Sequence, residues 1–185
     1  QTLFGIVIAG GRSLRFDGEK AVAPFAGRPL LRWAVDRLAS ACETVAVNAR
    51  RGTGAEALAR ESGLSVIHDE PGDPAGPLSG IRAGLAWAAA RGARSLAVSP
   101  CDAPLLPHDL FTRLAAVAGE EGAALAVSAD GPQPLCSIWP VTALPVVAAA
   151  LAAGQHPPIW RILDSVGARP LAVLDEDAFA NLNTR

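Results

Sequence analysis

Glycines, arginines and a lysine crowd one short stretch near the start of this sequence: Ala9-Gly10-Gly11-Arg12-Ser13-Leu14-Arg15-Phe16-Asp17-Gly18-Glu19-Lys20. Glycines let backbone N–H groups approach a phosphate closely, and Arg15 and Lys20 supply the countercharge that a leaving pyrophosphate requires. Of the 16 basic residues Lys20 is the only lysine, so a compact ammonium stands where the chain otherwise uses guanidinium groups. The spacing is neither G-x-x-x-x-G-K-[ST] nor the dinucleotide turn G-x-G-x-x-G. On residue types alone, a surface loop with turn glycines is an equal reading, and the single lysine tips the balance towards a polyphosphate cradle.

Asp102 is the second candidate, in Ser99-Pro100-Cys101-Asp102-Ala103-Pro104 after an apolar run. A carboxylate on a proline-flanked turn can hold Mg²⁺ together with substrate phosphates, whereas its everyday role would be to cap the next turn. Asp69, after Val66-Ile67-His68, has the same two readings. Asn48 can hydrogen-bond a base or ribose, or simply form a turn. The segment 69–80 (DEPGDPAGPLSG) runs into a helical stretch, so its N–H groups can face an anion or a base. Asn181 and Asn183, two apart, would share one face of an extended chain, with a frayed tail as the plain alternative.

Other residues carry less. His68, His108 and His156 have no metal-ligand spacing, the four tryptophans fit core positions, and no Ser/His/Asp arrangement is suggested. Cys42, Cys101 and Cys136 are odd in number and far apart, which favours reduced, mostly buried thiols. A net charge of −2 and a pI near 5.9, without a basic run, argue against nucleic acid as a partner. No membrane-length apolar run or signal-peptide pattern is present, so the sequence reads as cytoplasmic.

The elements that must position these residues alternate. Apolar runs at 3–9, 45–47, 64–67, 96–99, 124–128, 135–139 and 171–174 read as strands, the sixth with a different orientation. Helical spacing occupies 29–38, 55–62, 78–91, 110–117, 141–153 and 159–166. This order predicts an α/β fold over residues 1–185: a single-domain, three-layer α/β/α sandwich on a mostly parallel, Rossmann-like sheet. Ligands of such sheets sit beyond the carboxyl ends of the strands, where Gly10, Gly11, Asn48, Asp69 and Asp102 all fall.

Ile8-Ala9-Gly10-Gly11, Arg15-Phe16 and Lys20 together resemble the L-A-G-G-x-x-x-R-[MF]-G-x-D-K signature of the molybdenum cofactor guanylyltransferases, in the glycosyltransferase-A-like nucleotidyltransferase superfamily. Asn48 in VAVNAR, Asp69 in VIHDEPGDPAGPLSGI, Asp102 in PCDAPLLP, then QPLCSIWP and FANLNT resemble the same family's motifs in the same order. Glu19 departs from it, standing where aspartate usually precedes the lysine. The resemblance implies transfer of GMP from GTP to the terminal phosphate of the molybdenum–molybdopterin cofactor, with Mg²⁺ on Asp102. It places Ile8, Ala9, Gly10, Gly11, Asn48 and Asp69 around the nucleotide with Lys20 and Asp102, and Gly80, Asn181 and Asn183 towards the pterin. Arg15, Lys20 and Asp102 would be the catalytic groups. It also implies a monomer, with room for transient contact with cofactor-delivering proteins or molybdoenzymes. A cytidylyltransferase on the same scaffold is the nearest alternative. A GTP-responsive cofactor-binding module without chemistry is one of another class, and a dinucleotide-binding oxidoreductase is more distant.

Overall fold

A computed structural model describes residues 2–10, 19–154 and 157–181. Along the chain, β1 (Leu3–Ile8) is followed by a 3-10 turn (Glu19–Val22), the short strands β2 (Pro24–Phe25) and β3 (Arg28–Pro29), and helix α1 (Leu30–Ala39). Next come β4 (Thr44–Asn48), α2 (Gly54–Glu61), β5 (Ser65–Ile67), α3 (Pro77–Ala90) and β6 (Ser95–Pro100). The remainder is α4 (Leu110–Ala118), β7 (Ala124–Ser128), β8 (Gly131–Pro140), a 3-10 turn (Val141–Ala143), α5 (Leu144–Ala152), α6 (Ile159–Ser165) and β9 (Arg169–Ala172).

One sheet runs β5-β4-β1-β6-β8-β7-β9, and β2 pairs with β3 as a separate hairpin. Its strand pairs are parallel except those that β8 makes with β6 and β7. Alternate residues of β1 serve opposite faces. Leu3 and Val7 pack with Leu31, Leu38, Ala55, Phe111 and Leu114 of α1, α2 and α4, while Phe4, Ile6 and Ile8 pack with Ile81, Leu85, Val147 and Ile162 of α3, α5 and α6. The expected three-layer sandwich with a mostly parallel sheet is therefore the architecture observed. Among the described residues no helix is long and apolar enough to cross a membrane.

The differences from the sequence expectation have local causes. Strand β8 starts at Gly131 rather than at 135, running through Pro132 and Pro134. Its pairing with β6 covers only residues 137–140, so those prolines lie where one edge of β8 is free and no ladder donor is needed there. The last strand sits at Arg169–Ala172 rather than 171–174, accommodating Pro170 because β9 is the sheet's edge. The stretch 141–153 breaks into a 3-10 turn and α5, with Pro145 in the first turn of α5. The β2–β3 hairpin turns on Ala26 and Gly27, at φ 48° and 80°, and alanine in that conformation gives no sequence signal of a turn.

The parallel strands deliver their carboxyl ends to one edge, where Asn48 ends β4 and the loops after β1, β5 and β6 carry Gly10, Asp69 and Asp102. Helix α3 packs on one face of the sheet through fully buried Leu85. Leu85→Ala should destabilise the fold by about 2–5 kcal/mol in urea unfolding.

Candidate active site

Asn48, the last residue of β4, is 2% exposed and ties four segments together. Its Nδ2 donates to the Ile67 carbonyl at 3.0 Å and to Asp69 Oδ1 at 2.9 Å, which uses both amide hydrogens. Its carbonyl oxygen accepts from the Ala9 N–H at 2.8 Å, anchoring the start of the glycine loop. Its side-chain oxygen lies against Gly10 and Gly80. A Cβ added at Gly80 would overlap Asn48 Oδ1, sit 2.9 Å from Asn48 Cγ and 3.0 Å from Ile8 Cδ1, so the first turn of α3 reaches the sheet only because residue 80 has no side chain.

Across β1, Lys20 Nζ pairs with Asp102 Oδ2 at 2.8 Å, their side chains 24% and 19% exposed. Neither side chain has another hydrogen-bond or ion-pair partner among the described residues. Beside them, burial pushes the Cys101 thiol up to about 12, with the Asp102 charge adding to the shift and Lys20 opposing it. Cys101 thus stays a neutral thiol at physiological pH, poorly suited to act as nucleophile or soft metal ligand. Cys42 is likewise raised to about 12 by burial, and Cys136 is raised for the same reason. Among the described residues no three His, Cys, Asp or Glu side chains cluster to hold an ion by themselves. A hard carboxylate oxygen such as that of Asp102 suits Mg²⁺, which commonly takes its other ligands from water and substrate phosphates.

The segment between Asp69 and Gly80 is braced from within. Arg82 Nη1 lies 2.8 Å from both oxygens of Asp73, and Ser79 Oγ donates to the Pro74 carbonyl. Gly76 enters α3 at φ 145°, ψ 169°, a backbone state open essentially to glycine, and Pro77 follows in the first turn. On the other flank of Asp69, His68 Nε2 meets Glu56 Oε2 at 2.6 Å. The His68 hydrogen bond, then that from the Gly52 N–H, holds the Glu56 carboxyl below its ordinary range.

Of the residues expected from sequence, Ile8, Ala9, Gly10, Asn48, Asp69 and Gly80 meet around the Asn48 side chain, and Lys20 meets Asp102. Asn181 is exposed at the end of the described chain, and no hydrogen bond joins it to this group among the described residues. Gly11, Arg15, Asn183 and His156 lie outside the described residues. Sequence reasoning did not anticipate the Lys20–Asp102 pair, which joins segments far apart in the chain, or the Arg82–Asp73 brace, whose partners are nine residues apart across the loop that leads into α3.

A mostly parallel sheet whose strand-end edge carries Gly10, one ammonium and the carboxylate paired with it defines a nucleotide-binding α/β protein of the Rossmann-like class. The chain belongs to the MobA-like NTP transferase domain family, whose model matches residues 5–169, and is a nucleotidyltransferase. It is 42% identical over 182 residues to a Cereibacter sphaeroides protein named Molybdenum cofactor guanylyltransferase, covering 98% of this chain and 91% of that one. In fold it is similar to the crystal structure of Molybdopterin-guanine dinucleotide biosynthesis protein A from Archaeoglobus fulgidus, at TM-score 0.72 and 21% identity over 98% of this chain and 92% of that one. It is similar also to a Mycobacterium tuberculosis protein crystallised with manganese, at TM-score 0.67 and 20% identity, covering 94% and 89% of the two chains.

Gly80→Ala should push Asn48 off Asp69, lowering stability by about 1–3 kcal/mol in denaturant unfolding and weakening nucleotide binding in calorimetry. Because Glu56 titrates in the folded state below its ordinary value of 4.5, its contact with His68 stabilises the fold above that pH, and the contribution is lost as pH falls through the folded-state value. Urea midpoints between neutral and acid pH should therefore fall more steeply for the native chain than for Glu56→Gln.

Proposed function

We propose that this chain, as one domain, transfers GMP from GTP to the terminal phosphate of the molybdenum–molybdopterin cofactor and releases pyrophosphate. The observation that carries the proposal is the Lys20–Asp102 pair at 2.8 Å on the strand edge, in a chain whose near full-length relatives bear the name Molybdenum cofactor guanylyltransferase.

Asp102 would hold Mg²⁺ through its carboxylate, and a bound Mg²⁺ would supply neutralisation of the triphosphate and of the charge that develops on pyrophosphate. Manganese in the Mycobacterium tuberculosis neighbour supports a divalent ion on this scaffold. Lys20 then exchanges Asp102 for phosphate oxygens, so one internal ion pair is replaced by two contacts to the substrate complex. Arg15 joins Lys20 on the leaving group, and the Gly10-Gly11 backbone lines the phosphates. Ile8, Ala9, Asn48 and Asp69 hold the guanosine. Asp69 Oδ2, which has no protein partner among the described residues, is the acceptor for a base or ribose donor, and Asn48 fixes its orientation. The family resemblance would put Gly80, Asn181 and Asn183 towards the pterin.

An oxygen of the acceptor phosphate attacks the α-phosphorus in line as the bond to the β-phosphate oxygen breaks. The nucleophile is already ionised at neutral pH, so the site needs no general base, and positioning with charge stabilisation carries the rate.

Calorimetry with GTP, CTP and ATP, with and without Mg²⁺, tests the reading alongside turnover of the molybdopterin cofactor. Selective Mg²⁺-dependent GTP binding is expected, lost in Asp102→Asn. Lys20→Ala should lower turnover by about a hundredfold or more. Unchanged turnover in Lys20→Ala would remove Lys20 from the mechanism. A CTP preference would make the chain a cytidylyltransferase, and GTP binding without pyrophosphate release would make it a binding module.

A further inference from the structure

Arg37 is a buried cation that the reaction above does not use. It sits on α1, 7% exposed, among the core residues Ala34, Val35 and Leu38. Its Nε donates to the Leu106 carbonyl at 2.7 Å and its Nη2 to the Pro104 carbonyl at 3.4 Å, and its guanidinium carbon lies 5.8 Å from the centre of the Trp33 ring. No carboxylate hydrogen-bonds or ion-pairs with it among the described residues. Burial accordingly lowers its pKa, with Asp36 opposing and Arg28 adding to the shift. A core charge without a carboxylate partner is an expensive way to secure two carbonyl groups.

Those carbonyls belong to the loop between β6 and α4, the loop that carries Asp102. Strand β6 fixes the near end of that loop through its ladder with β1. Beyond Asp102, Arg37 spans two of the loop's carbonyls with one planar fork, which a lysine cannot reproduce. Three residues on, Ser40 Oγ lies 3.2 Å from the His108 carbonyl. The same helix supports Lys20, since the Leu30 N–H at its start donates to the Ala23 carbonyl at 2.9 Å, just past the turn that holds the lysine. Helix α1 therefore stands behind both halves of the Lys20–Asp102 pair.

We infer that Arg37 is a positioning residue: by clamping the carbonyls of Pro104 and Leu106 it fixes where Asp102 presents its carboxylate to a metal–nucleotide complex. The inference rests on the proposed function only for what Asp102 binds. The clamp itself is a property of the unliganded chain. Loss of an outer partner that orients a metal ligand commonly weakens metal affinity by about 10–100-fold.

The test uses Arg37→Lys, which keeps the charge and loses the fork, and Arg37→Met, which keeps much of the bulk. Backbone amide exchange of the unliganded protein should quicken in 101–109 for both variants, while the β1–β4 ladder stays protected. Calorimetric affinity for Mn²⁺ in the presence of saturating GTP should fall about tenfold in Arg37→Lys, with metal-free GTP affinity unchanged. Exchange in 101–109 that matches the parent chain, or Mn²⁺ affinity in Arg37→Lys equal to that of the parent chain, would overturn the inference. Faster exchange in that loop, with no GTP-dependent Mn²⁺ binding in the parent chain, would leave the clamp standing and count against the proposed function instead. If Arg37→Met fails to fold, Arg37→Lys alone decides through the same measurements.

Discussion

The site depends on what the Asn48 side chain touches. Its amide hydrogens are consumed by the Ile67 carbonyl and Asp69, and its oxygen rests in a space left by Gly10 and Gly80. One buried amide thus sets the distance between the ends of β1, β4 and β5 and the head of α3. Such a group tolerates little change. A side chain at position 80 would enter its volume, and removing the amide would leave the Ile67 carbonyl and the Asp69 carboxylate without a donor at the edge of the core. The polar contact and the two glycines are a single packing solution, which explains why residue types as different as glycine, asparagine and aspartate stand together in the candidate set.

The second organising element is α1. It presents Leu31, Ala34 and Leu38 to the sheet, as its apolar spacing requires, and it also reaches the loop after β6 through Arg37 and the segment around Lys20 through Leu30. Charged chemistry at the strand edge is therefore held from below by a helix whose stability comes from apolar burial. Separating the two functions in this way lets the edge keep partly exposed, imperfectly paired groups without loosening the sheet.

Much of the fold is legible in the sequence because apolar runs such as Leu3–Ile8 and Ser95–Pro100 are buried on both faces, and few other environments suit them. The strand-end positions of Asn48, Asp69 and Asp102 follow directly from that. What sequence does not show is pairing at a distance. Nothing in the type of residue 20 or 102 states that the two meet, and Asp73 could as easily cap a turn as brace Arg82. Pro132 and Pro134 hide the first half of β8 because a proline argues against a strand until it is known which edge of that strand is free. Arg37 is the plainest example. A charge beside the apolar stripe of a helix reads as a boundary residue, and only the fold reveals carbonyl groups opposite it.

The choice of lysine at position 20 has a physical reason in this geometry. A guanidinium facing Asp102 would form a two-point, planar pair with the carboxylate, and both groups would be held in a strong mutual contact. An ammonium makes a point contact on a flexible stem, and it gives up one oxygen for another without breaking a matched set of hydrogen bonds. In the proposed reaction Asp102 must turn from Lys20 to a metal ion while Lys20 turns to a polyphosphate. The pair at 2.8 Å satisfies both charges before the substrate arrives, and a lysine keeps that arrangement exchangeable. A chain whose other Lys/Arg positions are all arginine carries lysine at the position whose cation, in the proposed reaction, has to change partners.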